Sequence, residues 1–193
     1  MKNFFRFLNK LLLPSFLCII AAYFTKENDY IFIASFVVII VVYNLKKSKY
    51  NIIKTFLVSF LITFIVVSIS IISYLFTGYI TDLLTDNEFI KILNFNISLV
   101  DLTYLIQIAL ISPILFIFGY KFVFRINFTK DTIFITVSAV VLIFIVGFTP
   151  LKYENKYFFD IYLLWQIIMA LTLQLVLYQK ELKTLFKPKN GYG

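Results

Sequence analysis

Long, predominantly apolar stretches alternate with short polar segments along the chain. Six of these stretches are predicted to cross a membrane, at residues 11–24, 30–44, 55–77, 98–120, 132–149 and 158–178. About 20 apolar residues in an α-helix span the hydrocarbon layer of a bilayer. The stretches are continuous rather than alternating residue by residue, which favours helices over a β-barrel. The pattern therefore predicts an all-α fold: a polytopic integral membrane bundle of six transmembrane helices in one domain, residues 1–193.

The composition strengthens this prediction. Hydrophobic residues make up 61% of the 193 residues, and charged residues make up only 15%. A soluble domain of this size leaves roughly a third of its unfolded surface exposed, so it has no means of hiding this much apolar surface from water. We therefore expect the lipid bilayer to surround most of the chain. We expect no nucleic-acid partner, because the basic residues do not form a soluble basic face.

Basic residues are distributed very unequally between the two sides of the predicted bundle. Fourteen of the 18 Lys and Arg residues fall in the two terminal segments and in the second and fourth connections. Cytoplasmic loops are enriched in Lys and Arg, so the distribution predicts that both termini are cytoplasmic. The frequent Ile, Phe, Asn and Lys residues are typical of an AT-rich bacterium, which indicates the inner membrane as the location.

The chain carries few groups that support catalysis. It has no His and one Cys, which excludes His-based metal sites, a Ser-His-Asp triad and a disulfide within the chain. No ionisable residue lies deep in a predicted span, so nothing is placed there to activate water. We therefore predict no catalytic residue, no metal ligand and no cofactor, and a protein that is not an enzyme.

Two carboxylates lie just inside the predicted spans. Asp101 lies in the fourth span and Asp160 in the sixth, both near the outer boundary. Charged groups in spans are costly and are therefore candidates for a site, and a carboxylate pair is able to bind a cation or share a proton. The favoured interpretation is that each carboxylate caps a helix and reaches the water at the headgroups.

Uncharged polar groups lie deeper in the same two spans. Gln107 and Gln166 are at mid-span, Trp165 is next to Gln166, and Pro113 interrupts the fourth span. Pro113 has no N–H for the carbonyl of Ala109, which makes this helix a place for a pocket or hinge. The favoured interpretation of the glutamines is hydrogen bonding between helices. The alternative is a polar pocket between the fourth and sixth spans, formed by Asp101, Gln107, Pro113, Asp160, Trp165 and Gln166.

Two other patterns suggest contacts between elements. Small and hydroxyl residues recur on one face of the third span, including Ser59, Thr63 and Ser70, and such faces allow helices to approach closely. The outer connection, residues 78–97, has apolar residues at roughly helical spacing. This spacing predicts an amphipathic helix in the outer interface, with a partner-binding or re-entrant segment as the alternative.

Three segments follow one another in the second half of the chain: LISPIL at residues 110–115, YKFVFR at residues 120–125 and FIVGF at residues 144–148. With these segments, residues 104–183 resemble the CAAX-protease and bacteriocin-processing family of intramembrane proteases. Family members have E-E-x-x-x-R at the end of one helix and F-x-x-x-H in the next. Arg125 matches the arginine of the first motif, and Phe144 matches the phenylalanine of the second.

The residues that carry the chemistry of that family are absent. Tyr120 and Lys121 stand at the two glutamate positions, and Phe148 stands at the histidine position. The sixth span also lacks the histidine that the final helix of the family would supply. The resemblance therefore implies a relative without catalytic activity.

Two functional hypotheses follow. The first is a non-enzymatic accessory or assembly subunit of a larger membrane complex, or an immunity-type protein, which has a protein partner in the membrane. It rests on the missing catalytic groups, the short connections and the small-residue helix faces. The second is a small carrier or ligand-binding transport subunit that uses the polar pocket between the fourth and sixth spans.

Overall fold

Helices account for most of the structure, a computed structural model that describes residues 2–25, 29–85, 89–92, 95–151 and 158–186. Side chains are described for residues 4–25, 31, 33–80, 83, 102–147 and 163–185. The helices are α1 (Lys2–Thr25), α2 (Asp29–Asn44), α3 (Ile52–Thr85), α4 (Leu99–Ile106), α5 (Ser112–Val123), α6 (Lys130–Leu151) and α7 (Phe158–Phe186). A five-residue π-helical turn, Gln107–Ile111, joins α4 to α5.

Every residue of the predicted spans lies in one of these helices or in the π-helical turn, except residue 98, which belongs to a strand. Helices α1, α3 and α7 extend several residues beyond the predicted spans. Among the described residues, five helical segments are long and apolar enough to cross a membrane: Phe4–Thr25, Ile52–Ile80, Leu102–Val123, Lys130–Gly147 and Leu163–Leu185. The second predicted span corresponds to α2, which has 16 residues. A helix of that length measures about 24 Å, somewhat less than the hydrocarbon thickness of about 30 Å.

The prediction of an amphipathic helix at residues 78–97 is wrong. Helix α3 continues to Thr85, and strands β1 (Phe89–Ile92) and β2 (Phe95–Ser98) then pair as an antiparallel hairpin. The sequence F-N-I-S of β2 alternates apolar and polar residues with the period of two that is typical of a strand. The apolar residues with helical spacing combine positions in α3 with positions in β1, whereas the local alternation in β2 determines the structure of the hairpin.

Two connections meet at one end of the bundle. The amide of Lys49 donates to the carbonyl of Val123 at 2.9 Å, and the amide of Arg125 donates to the carbonyl of Lys47 at 3.0 Å. Lys10 of α1 and Lys47 both form ion pairs with Glu181 of α7, at 3.0 and 3.4 Å. These contacts bring parts of α1, α7 and the second and fourth connections together. We call this the basic end of the bundle.

Helix α7 lies at the centre of the bundle. Of its apolar segment 61% is buried, against 28% for α1 and α3 and 22% for α6. It packs against α1 and α6 along its length. The side chains that α3 and α6 expose are mainly Ile, Leu, Val and Phe, so the outer face of the bundle is as apolar as its interior.

Helix α3 packs against α2, α4 and α5 through its face of small residues, as predicted. Ser59, Thr63 and Ser70 are all buried on this face. Gly119 of α5 lies against Ile62 of α3, where an added Cβ would lie 2.6 Å from the Cγ2 atom of Ile62. Glycine at this position therefore leaves room for the side chain of Ile62.

Candidate functional site

A π-helical turn places Gln107 in the core. The amide of Ser112 donates to the carbonyl of Gln107, five residues back, directly before Pro113. Proline lacks an amide proton and its ring clashes with the carbonyl four residues earlier, and a widened turn accommodates both effects. The predicted interruption at Pro113 therefore takes the form of a π-helical turn in a continuous helix. Gln107 and Pro113 are both buried there.

Trp165 is the centre of an aromatic cluster that joins three helices. Its ring lies 6.1 Å from that of Phe36 on α2 and 5.5 Å from that of Phe116 on α5, measured between centroids. Phe116 in turn lies 4.3 Å from Tyr120. Phe36, Phe116 and Tyr120 have at most 1% of their surface exposed, so the rings fill the space between α2, α5 and α7. Phe36 and Phe116 were not among the predicted pocket residues.

The described contacts of the predicted pocket residues are to different helices. The π-helical turn that carries Gln107 packs against α3 and α6, whereas Trp165 packs against α2 and α5. Gln166, the next residue on α7, is also buried. Asp101 and Asp160 belong to α4 and α7, but their side chains lie outside the described residues. A carboxylate pair at the outer boundary therefore stays a prediction.

Several buried polar side chains have atoms without a hydrogen-bond partner in the described part of the chain. Those in the π-helical turn and in α7 are the Oε1 atom of Gln107, the Nε1 atom of Trp165, and both amide atoms of Gln174. Gln174 is completely buried, and it lies on the central helix. An unpaired amide in an apolar surrounding costs about 1–3 kcal/mol, so these groups destabilise the bundle unless something binds them. They are the strongest candidates for binding a polar ligand.

Two other buried polar groups are fully paired. The hydroxyl of Tyr120 lies 2.9 Å from that of Thr63, which also donates to the carbonyl of Ser59. Near the basic end, Gln179 donates to the hydroxyl of Thr132 at 3.3 Å and accepts from the hydroxyl of Thr129 at 3.1 Å. These pairs connect α3 to α5 and α7 to the start of α6. They act as interhelical hydrogen bonds, the role that the sequence suggested for polar residues in the spans.

The residues of the family resemblance occupy varied surroundings. Tyr120 is buried in the aromatic cluster, Lys121 and Arg125 are exposed at the basic end, and Phe144 is half-buried on α6. The side chain of Phe148 lies outside the described residues. No family model, no curated protein and no solved structure matches the chain.

Proposed function

We propose that the protein is a non-enzymatic integral membrane protein with six transmembrane helices, whose basic end faces the cytoplasm of a bacterium. The apolar outer face of the bundle supports insertion, since soluble proteins rarely expose large contiguous apolar patches. The grouping of α1, α7 and two basic connections at one end supports the orientation. Helix α2 is then the shortest span, and local thinning of the bilayer accommodates it.

Within the membrane, the protein acts as an accessory or assembly subunit of a larger complex, or as an immunity-type protein. The observation that carries this proposal is an exposed apolar face at the far end of α3. This distal α3 face consists of Ile72, Leu75, Phe76, Tyr79 and Leu83, each 61–66% exposed. At 100° per residue these five positions fall within an arc of about 100°, so they form one surface.

The length of α3 carries the end of this face beyond the lipid chains. At 1.5 Å per residue, Leu83 lies about 46 Å along the helix axis from Ile52 at the basic end. A hydrocarbon layer is about 30 Å thick, and helices tilt by up to about 40° from its normal. At that tilt, only about 39 Å of the helix axis lies inside the layer. Exposed apolar side chains outside that layer are typical of an interface with another protein.

Site-specific crosslinking tests this function. A photoreactive phenylalanine in place of Tyr79 should crosslink the chain in living cells to one protein that also co-purifies in mild detergent. Phe76→Asn and Leu83→Asn should reduce that product severalfold. Ile53→Asn, at a 71% exposed position at the other end of α3, is the matched control and should not. Crosslinks to lipid alone would contradict the subunit proposal, and a product of twice the chain's mass would identify a second copy as the partner.

A small carrier or ligand-binding subunit is the second candidate. The amide of Gln174 and the Oε1 atom of Gln107, which have no hydrogen-bond partner among the described residues, favour it, because such buried polar groups are suited to binding a polar ligand. Rings of neighbouring helices pack against Trp165, so a ligand would bind near the two glutamines and not at Trp165. A small molecule that stays with the purified protein and is lost on Gln174→Leu would support the carrier.

A further inference from the structure

The basic end carries cations that no described carboxylate neutralises. Glu181 is paired with Lys10 and Lys47, and Asp131 is paired with Lys183. These are the two carboxylates whose side chains the structure describes. Lys49 and Lys121 form no ion pair with either of them. The surface around these two lysines is therefore suited to an anion.

Backbone and side-chain contacts hold the two lysines together. The amide of Lys49 donates to the carbonyl of Val123, which fixes its backbone against the end of α5. Its ammonium group donates to the main-chain carbonyl of Lys121. An ammonium group has three hydrogens to donate, so Lys49 retains donors for a ligand next to the main chain of Lys121.

An exposed aromatic wall begins at the same place. The ammonium of Lys121 lies 4.7 Å from the ring centroid of Phe128. The Phe118 ring lies 6.1 Å from that of Phe128 and 6.0 Å from that of Phe122. The three phenylalanines are 53%, 45% and 56% exposed, in the order Phe118, Phe128 and Phe122. The cations lie at one end of this apolar surface. Such a surface is complementary to a molecule that has an anionic head group and apolar chains.

We propose that Lys49 and Lys121 bind the phosphate of an anionic phospholipid, whose acyl chains lie along Phe118, Phe122 and Phe128. The inference rests on membrane insertion with the basic end at one surface of the bilayer. Anionic headgroups attract cations at that surface, and the aromatic wall favours a lipid over a soluble phosphate, which has no apolar part to cover it. We call these five residues the headgroup site.

Lipid retention measures this site directly. The full chain is reconstituted into nanodiscs of phosphatidylcholine with a minor share of phosphatidylglycerol, and the lipids that remain bound are identified by native mass spectrometry. The wild-type chain should retain phosphatidylglycerol preferentially. Any lysine near a membrane surface contributes about fivefold to the binding of an anionic lipid, and direct contact with the phosphate adds to this, so Lys49→Gln combined with Lys121→Gln should weaken retention by well over 25-fold, where about 25-fold is the share of surface charge alone. Lys46→Gln combined with Lys180→Gln is the control: it removes the same charge from two exposed positions and should weaken retention by no more than that share.

A second variant tests the apolar half of the site. Phe122→Ala removes an exposed ring and should weaken retention severalfold while the fold persists. Equal losses in the control and the test pair would overturn the site in favour of diffuse surface charge. Displacement of the lipid by millimolar inorganic phosphate would overturn the assignment to a phospholipid. A chain that fails to enter nanodiscs contradicts membrane insertion, whereas one that enters without preferring phosphatidylglycerol contradicts only the headgroup site.

Discussion

Phe116→Ala should lower the free energy of unfolding by about 3–5 kcal/mol, the usual cost of removing a buried aromatic side chain. Phe116 is completely buried, and its ring contacts those of Phe36, Tyr120 and Trp165 at centroid distances of 5.7, 4.3 and 5.5 Å. Removing it leaves a cavity where α2, α5 and α7 meet. Because three helices share the cluster, the loss affects the whole bundle.

The same helix offers a matched control two residues away. Phe118 is 53% exposed on the outer face of α5. Phe118→Ala removes the same atoms from a position where lipid replaces them, so it should change stability by less than about 0.5 kcal/mol. Reversible unfolding of both variants in mixed detergent micelles measures the difference. Equal effects of the two substitutions would mean that the inner and outer faces of α5 are wrongly assigned.

Two glutamines of α7 should respond in opposite directions to the same substitution. Gln174 is completely buried, and neither of its amide atoms has a partner among the described residues, so Gln174→Leu should raise the free energy of unfolding by about 1–3 kcal/mol. Gln179 bonds to Thr129 and Thr132, so Gln179→Leu should lower it by about 1 kcal/mol.

The free energy of reversible unfolding of the two leucine variants decides whether the side chain of Gln174 destabilises the fold or is hydrogen-bonded within it. A loss of stability in Gln174→Leu would show that the amide has a partner in the folded protein. If that loss accompanies the release of a bound small molecule, the carrier function is favoured over the subunit. If Gln174→Leu is more stable and still crosslinks through Tyr79, the subunit function is favoured.

Most of the helix positions follow from the sequence because the α-helix is the favoured conformation of a long apolar stretch in lipid. Every residue of such a stretch must satisfy its own backbone groups, and an α-helix does this locally. The outer connection lacks that constraint. There, the short alternation in Phe95–Ser98 competes with a helical spacing spread over a longer segment, and the hairpin forms.

The aromatic cluster was missed for a different physical reason. The chain has 24 Phe and 13 Tyr residues, and in a membrane helix the side chains that face lipid are as apolar as those that face the core. Phe116 and Phe118 are therefore indistinguishable by composition, although one is buried and the other exposed. Amide and indole side chains are rare in the spans, so Gln107 and Trp165 stand out in the sequence as candidates. The rings that pack against Trp165 on neighbouring helices required the structure.

Accessibility of introduced cysteines tests most directly whether the chain crosses a membrane with its basic end in the cytoplasm. The native Cys18 is completely buried and should not react. In bacterial spheroplasts, a membrane-impermeant maleimide should label Glu154→Cys, which follows α6 on the side of the bundle that is predicted to lie outside. It should label Lys49→Cys, at the basic end, only after the membrane is opened. Labelling of Lys49→Cys in intact spheroplasts, with Glu154→Cys protected, would contradict the orientation, and recovery of the folded chain in water without detergent would contradict insertion itself.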